Sequence, residues 1–221
     1  MNKVYEGPRD CPEIIPVFPL PRALLLPRGQ MPLNIFEPRY LAMVDTALGA
    51  ERVIGMIQPD SDADPESEAP KLSRVGCAGR IVQFAETGDG RYLISLVGFA
   101  RFAIVEELSV TTPFRQCRVS YERYALDFRA RAGEGDVDRA GVLEALRAFA
   151  EASGLKVDWQ EIEEAPNEAL VNALSMMSPF GPREKQALLE APDLKTRAEM
   201  LIAITEMELT KSQSGPDTIL Q

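Results

Sequence analysis

The stretch "NIFEPRYLAMV" carries three side chains, Glu37, Arg39 and Tyr40, whose types and spacing could build a polar binding site. A carboxylate can act as a base, a guanidinium can grip an anion in a planar fork, and a tyrosine offers an aromatic wall with a polar tip. A structural role is the other reading of Arg39 and Tyr40, with the arginine pairing a buried acid. The chain has no histidine. That removes Ser-His-Asp and Cys-His catalysis, histidine-containing zinc sites and the usual proton shuttle near neutral pH. Cys11, Cys77 and Cys117 are odd in number and far apart, so reduced thiols are expected, with no base nearby to make a nucleophile of one. No Gly-x-x-x-x-Gly-Lys-Ser/Thr run is present, so a P-loop is not expected. The acidic run "DSDADPESEAP", residues 60–70, lacks the EF-hand spacing and reads as a solvated loop. Carboxylate pairs, a Ser-Lys dyad or an acidic metal site survive as catalytic options, but no metal and no cofactor is expected.

The charge balance narrows the partners. Formal net charge is −10, from 34 acids and 24 bases, so the averaged field repels phosphate backbones and anionic lipid. No Lys/Arg-rich run with interleaved aromatics offsets this, and nucleic acid is not expected as a partner. No run of about 18 apolar residues occurs, so no membrane span is expected. The N-terminus lacks the basic and apolar regions of a secretory signal, which makes the cytoplasm the default location.

The elements that would position Glu37, Arg39 and Tyr40 follow from local pattern. Prolines 16, 19, 21, 27 and 32 break residues 14–36 into short apolar runs, which excludes a helix and confines strands to short edge or bulged segments. "VIGMIQP", 53–59, is a further strand. Asp89-Gly90 between two apolar runs marks a hairpin, and "FRQCRVSYERY", 114–124, closes the β set. Between strands, Glu37 suits a helix N-cap and Pro38 the first helical position. Phe36 and Leu41 stand as a hydrophobic staple, Leu41, Val44 and Leu48 as the apolar stripe, and Gly49 as a left-handed C-cap.

"RARAGEGD", 129–136, is the expected seam between two subdomains. Beyond it the period changes to helical: Val142, Leu146, Phe149 and Ala150 form one stripe ending near Gly154, and Leu170, Leu174 and Met177 form another. Pro182 begins a third helix, Pro192 ends it, and Asp193 is a good N-cap for a fourth. The class is α+β: a β subdomain with one helix over 1–128, then a helical bundle of about four helices over 129–221.

At this level the chain resembles a known family. "IPVFPLPRALLLPRGQMPLNIFEPRYLAMV", "VGCAGRIVQF", "DGRYLISLVGFARFAI" and "EKQALLEAPDLKTRAEMLI" look like successive parts of the Lon protease N-terminal domain, the substrate-recognition domain shared with cereblon. The resemblance spans nearly the whole chain and implies a PUA-like β pseudobarrel followed by a helical bundle. It also implies a non-catalytic module that binds polypeptides or a protein partner, a Lon-type protease or its substrates, as an adaptor or sensor in protein quality control. The Walker A motif of the protease's AAA+ module is absent, and none of the six lysines matches a Ser-Lys peptidase motif. No enzymatic activity is therefore expected. The alternative is a small-ligand binder or enzyme using carboxylates and arginines in the cleft between barrel and bundle, with Glu37, Arg39 and Tyr40 as the first residues to test.

Overall fold

The computed structural model describes residues 4–60, 69–154 and 158–213. Six strands form one sheet: β1 (Ile14–Pro19), β2 (Gln30–Ile35), β3 (Val53–Ile57), β4 (Val75–Glu86), β5 (Tyr92–Glu107) and β6 (Gln116–Ser120). Their order is β2-β5-β4-β3-β1-β6, and a further β5–β6 pairing closes five of them into a ring with β2 attached outside. β1 and β3 run parallel, with Val17 opposite Gly55; the other pairings are antiparallel. The expected hairpin joins β4 to β5, with Gly88 and Gly90 at positive φ, where residues lacking a Cβ are favoured. This is the expected pseudobarrel.

β1 departs from the expectation that proline confines a strand to an edge, because it lies between β3 and β6. The physical reason is a change of partner midway. Ile14, Ile15 and Pro16 pair with β6, while Val17, Phe18 and Pro19 pair with β3, so Pro16 and Pro19 each stand at the end of a paired run. Inside the ring, Ile15, Val17, Ala100, Phe102, Cys117 and Val119 form a compact core. The fully buried Phe102 ring fits because Gly55 and Gly76 face it; a Cβ on Gly76 would stand 2.5 Å from the ring.

Helix α1 (Pro38–Leu48) starts where the sequence indicates, with Glu37 at the N-cap and Pro38 in the first turn. Three details differ. Phe36 is 61% exposed, so it staples nothing. The buried stripe is Tyr40, Met43, Val44 and Ala47, one residue out of phase with the expected Leu41–Val44–Leu48, because α1 lies on the barrel through Tyr40 rather than through Leu41. Gly49 keeps right-handed geometry, φ −74, and its amide bonds back to Asp45, so no left-handed cap is needed.

Five α-helices follow among the described residues, against about four expected: α2 (Arg139–Ser153), α3 (Trp159–Glu164), α4 (Asn167–Met177), α5 (Pro182–Glu190) and α6 (Leu194–Gln213). The extra one, α3, is six residues long, too short for a readable apolar stripe; Asp158 caps it through the amides of Gln160 and Glu161. Gly154 ends α2 at φ 63, and Asp193 caps α6 through the Thr196 amide at 2.8 Å, both as anticipated. On α4 the buried face is Leu170, Val171 and Ser175, whereas Met177 is 81% exposed, because the helix ends there and the chain turns away. Residues 61–68 of the acidic run lie outside the described residues. No helix among the described residues is long and apolar enough to cross a membrane. The second core runs without a break from Leu24, Leu25 and Leu26 of the barrel to Leu188, Leu194 and Leu201 of the helices.

Candidate functional site

The turn into α1 fixes the three residues singled out by sequence. Arg39 donates through Nε and Nη2 to Oε2 of Glu37 at 2.9 and 2.8 Å, and both side chains remain nearly half exposed. The acid that Arg39 pairs is therefore its exposed neighbour and not a buried one. The guanidinium carbon also stands 4.6 Å from the centre of the Tyr40 ring. Tyr40 is only 8% exposed and packs its ring 4.3 Å from that of Phe18. Burial pushes its hydroxyl above the ordinary tyrosine range, with Arg39 pulling the other way.

Arg39 and Tyr40 face a groove of about 590 Å³ that lies wholly on the barrel, not in the cleft against the helices. Its floor and walls are Pro19, Pro21, Pro59, Pro70 and Pro113, together with Phe114 and a second arginine, Arg115. Arg115 is held rigidly: Nε and Nη2 grip both oxygens of Glu107 at 2.6 and 2.7 Å, and Nη1 donates to the Pro70 carbonyl at 2.7 Å. Proline rings with fixed φ make stiff apolar walls and present no amide donors, so little ordering is required when something binds against them. Among the described residues, the lining contains no serine, cysteine, lysine or carboxylate. The groove thus offers apolar contact, two aromatic surfaces and two oriented guanidinium groups, each already paired with a carboxylate.

The thiols are sealed away from this surface. All three cysteines are buried thiols outside any disulfide. Burial pushes the Cys77 thiol far up and the Cys117 thiol to about 11, so neither is a thiolate at neutral pH.

Sequence reasoning missed the polar clamp between barrel and helices. Arg101 on β5 makes a bidentate pair with Asp127, in the 3-10 segment Glu122–Phe128, through Nη2 to Oδ1 at 2.7 Å and Nε to Oδ2 at 2.9 Å. Its Nη1 donates to the carbonyls of Leu189 and Ala191 at the end of α5. Gln58, also buried, donates to the Pro182 carbonyl and the Gln186 amide oxygen, and Asn172 donates to the Pro27 carbonyl. These partners lie 26 to 145 residues apart, so only a strand's isolated buried-position arginine could have hinted at them. The edge strand β2 pairs with β5 alone among the described residues and carries Pro32, which removes one donor from any added strand.

The comparisons with known proteins agree with this architecture. Residues 14–206 match the family described as the ATP-dependent protease La (LON) substrate-binding domain. Lon protease 2 of Myxococcus xanthus is 25% identical over 201 residues, covering 88% of this chain and 24% of that protein. Lon protease 2 of Sorangium cellulosum is 28% identical over 209 residues, covering 91% and 26% respectively. The chain therefore spans about a quarter of the length of the relatives it matches. Among solved structures, a Lon N-terminal domain protein from Xanthomonas campestris superposes with TM-score 0.61 at 20% identity, over 86% of this chain and 97% of that one. The N-terminal domain of a Mycobacterium avium complex Lon protease superposes with TM-score 0.63 at 19% identity, over 87% and 98%. Fold and sequence together place this chain in the Lon substrate-binding domain family.

Proposed function

We propose that this protein is a polypeptide-binding module of protein quality control, and that the groove at Arg39 and Tyr40 receives its clients. In this reading the barrel part, residues 1–128, carries the binding surface, and the helical part, 129–221, buttresses it. The supporting observation is the groove itself: stiff proline walls, aromatic faces at Tyr40 and Phe114, and cations fixed at Arg39 and Arg115. Such a surface suits an extended chain with apolar and acidic side chains, which gains contact without forcing the host to reorganise. The module acts as an adaptor or sensor, presenting bound chains to a Lon-type protease.

Fluorescence anisotropy with a labelled, reduced and carboxymethylated protein that cannot refold tests this. The wild type binds it, and Arg39→Glu weakens binding about tenfold by reversing the rim charge. Because the Arg39–Glu37 pair is exposed, stability changes by no more than about 1 kcal/mol. Equal affinity in the folded variant places the binding surface elsewhere.

A further inference from the structure

A second cavity, of about 180 Å³, opens at the junction of barrel and helices and shares no residue with the groove at Arg39. Its walls come from the Pro27–Arg28 turn, the end of the 3-10 segment, α4 and the first turn of α6. Arg197 of α6 lies in the wall with 4% exposure. Its Nε donates to the Leu188 carbonyl at 2.9 Å and its Nη1 to Oδ1 of Asn172 at 3.0 Å, while Nη2 is buried without any hydrogen-bond partner. The carboxylates in the same wall are engaged elsewhere: Asp127 with Arg101, Glu168 with Arg28 and Asp193 with the Thr196 amide. Arg129, exposed at the rim, adds another guanidinium.

A buried cation with one unused donor edge, and with no carboxylate in direct ion-pair contact among the described residues, is an arrangement that an anion completes. Burial and the neighbouring Arg101 lower the Arg197 guanidinium to about 10, so it is still charged at neutral pH. The positive end of α6 faces the same space, through Pro192, Asp193 and Leu194. One water needs roughly 10–15 Å³ of such volume, so the cavity has room for several waters or for an anion in place of some of them. We propose that this cavity binds a small oxyanion, a carboxylate or a phosphate, gripped by Arg197 in the wall and Arg129 at the rim.

Thermal unfolding of the full chain in sodium phosphate, sodium acetate and sodium chloride at matched ionic strength tests the site. A binding anion raises Tm in a saturable way, since it stabilises only the folded state. Phosphate or acetate, or both, give that rise above the chloride control, and the stronger of the two identifies a tetrahedral or a planar anion as the preferred ligand. Arg129→Ala, an exposed substitution that leaves the fold intact, weakens the effect about tenfold. Arg197→Lys removes it, and if that variant does not fold, Arg129→Glu serves in its place and abolishes the rise. No shift beyond chloride up to about 10 mM of either anion overturns the proposal, as does a shift that persists unchanged in the Arg129 variants.

Discussion

Asp127→Ala most sharply tests the buried pair that holds Arg101 in place beside the helices. Asp127 accepts three hydrogen bonds from Arg101: two from the guanidinium, and one at 2.9 Å from the backbone amide. Both side chains are almost fully buried, at 4% and 8% side-chain exposure, which decides the scale of the effect. Breaking a buried pair leaves one charge uncompensated and costs about 3–5 kcal/mol, against about 0–1 kcal/mol for an exposed pair. Typical domains have about 5–15 kcal/mol in total, so the loss is a large share of it. For a chain of this size about 2–4 °C accompanies each kcal/mol, giving a fall in Tm of about 6–20 °C. Far-UV circular dichroism measures the loss of free energy by urea titration and the fall in Tm by thermal melting. Removing both charges in Arg101→Met/Asp127→Ala is milder than the sum of the single changes by about 2 kcal/mol, because no lone ion is left behind. A cost below about 1 kcal/mol for Asp127→Ala refutes the reasoning and means the pair is hydrated in solution.

Other substitutions and conditions give equally definite outcomes. Gly98→Ala places a Cβ 2.2 Å from the Leu26 carbonyl oxygen, a backbone atom that cannot yield, so soluble folded protein is lost, whereas Gly135→Ala meets nothing and leaves Tm unchanged. Stability is flat between about pH 5.5 and 8, since the chain has no histidine to titrate there. Above that, burial raises the Cys117 thiol from 9.0 to about 11 and the Tyr5 hydroxyl from 10.0 to about 12. A raised folded value stabilises below the unfolded one and is lost as pH climbs through the folded one, so chemical denaturation shows stability falling between pH 9 and 12. Asp193→Ala removes the cap of α6 and lowers stability by about 1 kcal/mol in the same assay.

Local chemistry was legible wherever a short stretch decides the outcome. Glu37-Pro38 starts a helix, Gly154 ends one at positive φ, and Asp193 caps another, each through backbone rules that act over four or five residues. The phase of α1 was not, because Tyr40 counts as buried only once Phe18 of β1 is brought beneath it. The same limit hid the place of β1, whose prolines are harmless only because its two halves pair with different strands. Of the candidate site, sequence pointed at Arg39 and Tyr40 but not at the groove. Its walls come from turns spread between Pro19 and Arg115, which meet only when the ring closes. Arg197 gave no sign at all, since its burial and its orphaned Nη2 depend on Leu188 and Asn172 from two other helices.

Site-specific photo-crosslinking addresses the proposed client groove most directly. A benzophenone amino acid is placed in turn at Arg39 and Pro113, on the groove, and at Phe36 and Met177, exposed apolar positions outside it. Each protein is irradiated with a labelled polypeptide that cannot refold. Polypeptide recognition at the groove predicts strong crosslinks from positions 39 and 113 that an excess of unlabelled chain suppresses, and weak ones from 36 and 177. Crosslinks confined to 36 or 177, with none from 39 and 113, contradict it.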